Sequence, residues 1–171
     1  MAVNFGALVA YLESQKNNRG LMADLRRGLT ESTEVYAWPH LSKFCGLDNK
    51  LEFDVVRTVA GLYAYHPMNV PKVNIGSLCF AMLTEVEQKD ILNGEGKDDG
   101  AIAMRLFQLL NSDREELLPL VGRLVLYAGS KEVGLDYEQL GRDLLFWNDR
   151  VRRTWASSFW RPVQKKEGES E

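Results

Sequence analysis

Apolar residues recur along this chain mostly at helical spacing. Phe5, Leu8, Val9 and Leu12 fall at i, i+3, i+4 and i+7, which predicts an amphipathic helix over residues 3–16. Leu21, Met22 and Leu25 continue into a short helix that Gly28 is placed to stop. Pro39 restricts Trp38, so the following helical segment is expected to end near Ala37. Asp48 can cap a helix whose apolar face is Val55, Val59, Leu62 and Tyr63, with His66, Pro67 and Pro71 closing it. Asn74 can cap the next, with Ile75, Leu78, Cys79 and Met82 on one side.

The stretch Asn93 to Gly100 has three glycines and mixed charge and reads as a linker. After it, Ala103, Met104, Phe107 and Leu110 share a face. Asp113 with Glu116, and Asp136 with Gln139, have the spacing of capping boxes. The first opens an apolar helix from Leu117 to Ala128, and the second a segment that runs to Arg161 and is stopped by Pro162. No alternating strand pattern and no solenoid repeat stands out. The expected fold is all-α, with eight to nine helices in two small bundle-like lobes. The expected division is an N-terminal lobe over 1–92, a linker over 93–100, a C-terminal lobe over 101–163 and a disordered tail over 164–171.

Charge changes this picture only locally. The net charge is -3 over 171 residues, which argues against a freestanding DNA binder of the usual basic kind. Residues 61–120 carry five basic and nine acidic side chains, whereas residues 142–161 carry five arginines against Asp143 and Asp149. On a helical wheel, Leu140, Leu144, Trp147, Val151 and Trp155 cluster on one face. Arg142, Arg150 and Arg153 lie opposite, within roughly 80° of one another, with Phe146 and Trp160 in the same sector. Guanidinium groups suit phosphates, and aromatic rings among them offer stacking surfaces for bases. An ordinary solvated helix face has the same pattern, and a break near Asn148 is easy. Further basic candidates are Arg26 and Arg27 at a helix end, where they also complement the helix dipole, Arg105, and Arg123 within an apolar helix.

Catalytic and metal-binding signatures are sparse. His40 and His66 each adjoin a proline and read as loop residues. No C-x-x-C or H-E-x-x-H spacing occurs. Gly94-Glu95-Gly96-Lys97 lacks the Gly-Lys-Ser/Thr ending of a phosphate loop, and Asp98 and Asp99 lack EF-hand spacing. No cofactor, metal or enzymatic activity is expected. Cys45 and Cys79 are expected as reduced core thiols. The start, Met1 to Leu12, lacks a basic region and a long apolar run, and no stretch has the ~18 apolar residues of a membrane span, so a cytoplasmic location is expected.

Taken in order, a series of short segments resembles the CasB family, the small subunit of type I-E CRISPR surveillance complexes (Cascade). The segments are Leu25-Arg26-Arg27-Gly28; Asn74-Ile75-Gly76-Ser77-Leu78; Arg105-Leu106-Phe107-Gln108-Leu109-Leu110; Gly122-Arg123-Leu124-Val125; and Leu135-Asp136-Tyr137 through Leu144-Leu145-Phe146-Trp147 to Trp155-Ala156-Ser157-Ser158-Phe159-Trp160. The resemblance implies an all-helical, two-lobed, non-catalytic subunit. It implies a paired second copy beside the backbone and large subunits, contacting the guide RNA (crRNA) and the target and non-target DNA strands of the R-loop. Arg26, Arg27, Arg105, Arg123, Arg142, Arg150 and Arg153 match positions where that family is typically basic. The chain departs from the family at Gly122-Arg123, where a basic pair is usual, at Ser77, Leu78 and Cys79, where a basic residue is common, and in being acidic overall. These departures point away from tight binding by the isolated chain. The competing classes are a helical protein–protein scaffold, whose arginines meet acidic partners, and then a helix-turn-helix regulator, for which no short polar recognition helix is visible.

Overall fold

A computed structural model of the chain describes residues 2–96 and 100–162, which form ten α-helices. They are α1 (Phe5–Gln15), α2 (Arg19–Arg27), α3 (Trp38–Leu41), α4 (Lys50–Tyr65), α5 (Ile75–Ala81), α6 (Glu85–Leu92), α7 (Ala101–Leu110), α8 (Arg114–Ser130), α9 (Tyr137–Leu145) and α10 (Asp149–Trp160). A 3₁₀ turn at Glu34–Tyr36 precedes α3. The all-α expectation holds, with more helices than the eight or nine expected. The expected tail, residues 164–171, lies outside the described residues, as do 97–99 of the expected linker.

The extra helices have local causes. Pro39 sits in the first turn of α3, where its missing N–H is no loss, so it begins a helix at Trp38. The long C-terminal segment is two helices. Phe146 leaves helical geometry after α9, and Asn148, in extended conformation, accepts from the N–H of Val151 to start α10. Asn74, Asp113 and Asp136 cap α5, α8 and α9 as expected. Asn49, one residue beyond the expected Asp48, caps α4. The reciprocal capping box belongs to Thr84 and Glu87 at α6.

The helices pack in two groups that share one hydrophobic core. In the first, α4 lies against α1, α2, α8 and α9, and α9 also packs on α1. In the second, α5 packs on α10 and α7. Each group takes helices from both sides of residues 93–100, and α7 against α8 joins them. Trp155, Tyr63, Tyr137 and Phe159 are the largest fully buried side chains. A single parallel bridge between Asn69 and Leu135 ties the loop after α4 to the entry of α9. Both cysteines are buried free thiols, and burial pushes Cys45 up to about 11 and Cys79 up to about 12. No helix among the described residues is long and apolar enough to cross a membrane.

Candidate nucleic-acid interface

The seven arginines singled out in the sequence fall into four places. Arg26 and Arg27 stand at the C-terminal end of α2. Arg26 is half-buried: its Nε donates to the carbonyl of Ala64 at 3.2 Å, and its guanidinium lies over the Tyr65 ring at 5.6 Å. Arg27 is exposed but pairs with Asp24 at 3.2 Å and lies over Tyr36 at 4.8 Å. These two side chains are engaged by their own neighbours and brace α2 against α4 and the 3₁₀ turn.

Arg105 and Arg123 stand on α7 and α8. Arg105 lies over the Tyr127 ring at 4.6 Å, and Lys131 approaches the same ring at 5.2 Å. Arg123, Tyr127 and Lys131 follow at four-residue spacing, so they share one flank of α8. Arg105 and Arg123 are both exposed, with no carboxylate partner among the described residues. Lys131 was not singled out from the sequence, although its spacing from Arg123 carried the signal.

Arg142, Arg150 and Arg153 do not share one helix face, because the break at Phe146–Asn148 separates α9 from α10. The common helix face expected for them is therefore not formed. Arg142 pairs with Glu138 at 2.6 Å and donates to Gln139 at 3.1 Å. Arg150 and Arg153, three residues apart on α10, are exposed and lack a carboxylate partner among the described residues. Arg152 between them is half-buried and structural. It pairs with Asp149, donates to the carbonyl of Ser112 at 3.2 Å and lies over Trp147 at 5.0 Å.

The aromatic residues divide similarly. Trp155 is fully buried, and Trp147 stacks on it with ring centroids 4.9 Å apart, as expected for the core face. Phe146 is exposed at the helix break. Trp160 is not a free stacking platform. It packs on Phe107 and Phe159, each at 4.9 Å, and with Met104 and Ala156 it lines an apolar groove of about 870 Å³ between α7 and α10. Arg105 borders that groove.

The histidines are tied into the fold. His66 Nε2 lies 2.6 Å from the carbonyl of Val133, and His40 lies on α3, not in a loop, 3.0 Å from the Asp24 carboxylate. Among the described residues no three His, Cys, Asp or Glu side chains gather as metal ligands would. What the surface offers is a set of solvent-facing guanidinium groups on α7, α8 and α10, suited to oxyanions spaced along an extended partner.

The family model of the CRISPR-associated protein Cse2 matches residues 21–160 of the chain. No curated protein matches it by sequence. By structure, the chain is similar to CasB from M. ruber, with 24% identity, 100% of each chain covered and a TM-score of 0.70. It is also similar to a Cse2-family protein from Thermus thermophilus, with 19% identity, 93% of this chain and 99% of that chain covered and a TM-score of 0.71. A chain of a CRISPR RNA-guided surveillance complex matches with 21% identity, coverage of 93% and 92%, and a TM-score of 0.74.

Proposed function

The chain belongs to the CRISPR-associated Cse2 family, and from that premise we propose that it is the non-catalytic small subunit of a type I-E Cascade complex in the cytoplasm. In this reading it lies beside the backbone and large subunits with a second copy of itself. There it holds the crRNA and the target and non-target DNA strands of the R-loop. Guide–target pairing reads sequence in such an assembly, and protein supplies contacts to the strand backbone. Exchange of one duplex for another is nearly balanced in energy, so a few phosphate contacts decide how long the R-loop lasts.

The observation that carries this reading is the pattern at Arg105, Arg123, Arg150 and Arg153. All four are exposed, and none has a carboxylate partner among the described residues. Arg26, Arg27 and Arg142 belong to the same proposal as secondary contacts. Surface pairs such as Arg142 with Glu138 contribute only ~0–1 kcal/mol, so a phosphate can replace the carboxylate.

The test is charge reversal at Arg123, Arg150 and Arg153 in the assembled complex. Assembly is expected to persist while the R-loop dissociates faster. Each lost phosphate contact lowers the salt dependence of single-strand binding by about 0.7 in log–log slope, so three contacts lower it by about two. Unchanged assembly together with unchanged R-loop lifetime sinks the arginine assignment. Loss of assembly, with strand retention by the isolated chain intact, favours the protein–protein scaffold.

A further inference from the structure

A basic cleft lies where the start of α5 meets the end of α10. It measures about 530 Å³ and is lined by Lys72, Ser77, Phe80, Ser157, Ser158 and Arg161, together with Asn74 and Pro162. No carboxylate is among these lining residues. Lys72 and Arg161 are both exposed and form no ion pair among the described residues. Neither belongs to the seven arginines discussed above.

Several polar groups of the cleft remain free to bind a ligand. Asn74 is fully committed on this side: its Oδ1 accepts from the N–H of Ser77, and its Nδ2 donates to Ser158 Oγ at 2.8 Å. Because Ser158 Oγ accepts from Asn74, its own hydroxyl proton remains to be donated. The hydroxyls of Ser77 and Ser157 make no hydrogen bond within the described residues. Two cations and three hydroxyl donors therefore line the cleft, with no carboxylate among the described lining residues, although the Asp136 carboxylate lies behind the Lys72 backbone; the set complements a tetrahedral oxyanion.

Lys72 is also held in an uncommon backbone conformation. Its φ is 68°, in the left-handed region that residues other than Gly, Asn and Asp seldom occupy. The N–H of Lys72 donates to Asp136 Oδ2 at 2.9 Å, and Asp136 N–H donates to the carbonyl of Val73 at 2.8 Å. Glu132 shares this region with a φ of 57°, so the conformation fixes where Lys72 sits without itself marking a site. Phe80, half-buried in the wall, adds a ring on which a base can stack.

We infer that the Lys72–Arg161 cleft binds a phosphodiester group of a nucleic-acid strand, giving the subunit a strand contact separate from the α7–α8 and α10 arginines. The inference rests on the reading of the chain as a nucleic-acid-holding subunit. Its test uses a Lys72→Asn/Arg161→Gln double variant, since asparagine tolerates the left-handed backbone at residue 72. An Arg19→Gln/Lys50→Gln variant removes the same charge elsewhere. Binding of a single-stranded oligonucleotide is measured over a salt series for the full chain and for the assembled complex, and inorganic phosphate is titrated into the full chain.

The cleft variant is expected to lower the log–log salt slope by about 1.4, from two contacts at about 0.7 each, and to weaken phosphate binding roughly tenfold. The control variant leaves phosphate binding unchanged. An unchanged slope in the cleft variant, with a reduced one on reversal of Arg123, Arg150 and Arg153, overturns the cleft and leaves the proposed function standing. Phosphate binding lost without any effect on the strand also overturns it, making the cleft a small-anion site. If neither the wild-type chain nor its complex retains the strand, the functional reading fails and this inference fails with it.

Discussion

Arg152 and Arg153 are neighbours in sequence and face different surroundings. Arg152 binds Asp149, the Ser112 carbonyl and the Trp147 ring, while Arg153 projects into solvent. Charge alone did not separate them in the sequence, because the distinction depends on α8 starting close to α10. Asp143 shows the same dependence on tertiary structure. It is buried on α9, accepts from Trp155 Nε1 at 2.8 Å and from Gln139 Nε2 at 2.7 Å, and so fastens α10 to α9. Burial raises its pKa above the ordinary value of 3.8, against the lowering effects of Trp155, Gln139 and Arg142, and Asp136 adds to the rise. Between the unfolded and folded titrations the folded chain keeps a proton that the unfolded chain has released. Stability from this site is thus fully present below 3.8 and is lost as pH rises through the higher folded value. Asparagine at this position can still accept from the indole through its one oxygen, loses the bond from Gln139 Nε2, and does not titrate. Denaturant unfolding of Asp143→Asn and wild type, followed from acid to neutral pH, is expected to show wild type losing stability relative to the variant as pH rises. Parallel curves rule out this account of Asp143.

At the scale of helices, the α5–α10 contact brings one helix directly onto the backbone of another. A Cβ on Gly76 would lie 1.9 Å from the backbone oxygen of Trp155 and 2.8 Å from its carbonyl carbon. Backbone cannot yield as a side-chain end can, so alanine at Gly76 must push α10 away. The expected cost is about 2–3 kcal/mol or more, seen as a lower denaturation midpoint with an unchanged m value. Alanine at Gly20 on α2, where an added Cβ would meet only Asn18 Oδ1 at 3.8 Å, is the control and is expected to be neutral or stabilising by up to ~1 kcal/mol. A Gly76→Ala protein as stable as wild type contradicts the close approach. Much at this scale was readable in advance. The apolar spacings of α1, α4 and α8 and the caps at Asn74, Asp113 and Asp136 are local signals, and they placed helices correctly. A break near Asn148 is easy on sequence grounds and is found there, although Leu144, Trp147, Val151 and Trp155 continue a helical apolar stripe across it. The contact of Gly76 with Trp155 joins residues far apart in the chain, and no local spacing encodes it. The Lys72–Arg161 cleft depends on that contact and was equally hidden.

For the molecule as a whole, the question is whether the polar stretch at 93–100 separates two independent folding units. Its composition has the glycine and charge of an exposed connection, and exposure alone produces that composition. The packing points to interdependence. The buried face of α4 is covered by α8 and α9, α1 is covered by α9, and α5 is covered by α10, so the helices before residue 93 bury themselves largely against helices after residue 100. A fragment ending near residue 96 would lose the cover of α8, α9 and α10 from α4 and α5, where Tyr63 packs on Tyr137 and Gly76 lies against Trp155. Burial of a large aliphatic side chain contributes ~1.5–3 kcal/mol, and a domain is stable by only ~5–15 kcal/mol in total. Neither fragment is expected to fold once it loses its share of that core. Cutting the chain at a protease site introduced within residues 93–96 is therefore expected to leave a non-covalent complex that unfolds in one cooperative transition. The fragments 1–96 and 100–162 made separately are expected to show no cooperative unfolding, and mixing them is expected to restore it. Cooperative unfolding of either fragment alone would overturn the shared-core view. The same interdependence bears on strand binding: Arg105 and Arg123 on α7 and α8, Arg150 and Arg153 on α10, and Lys72 beside α5 are fixed to one core. In the proposed function, phosphate contacts on such a frame would be preorganised, and an acidic chain would need few arginines once neighbouring subunits bring a strand into reach.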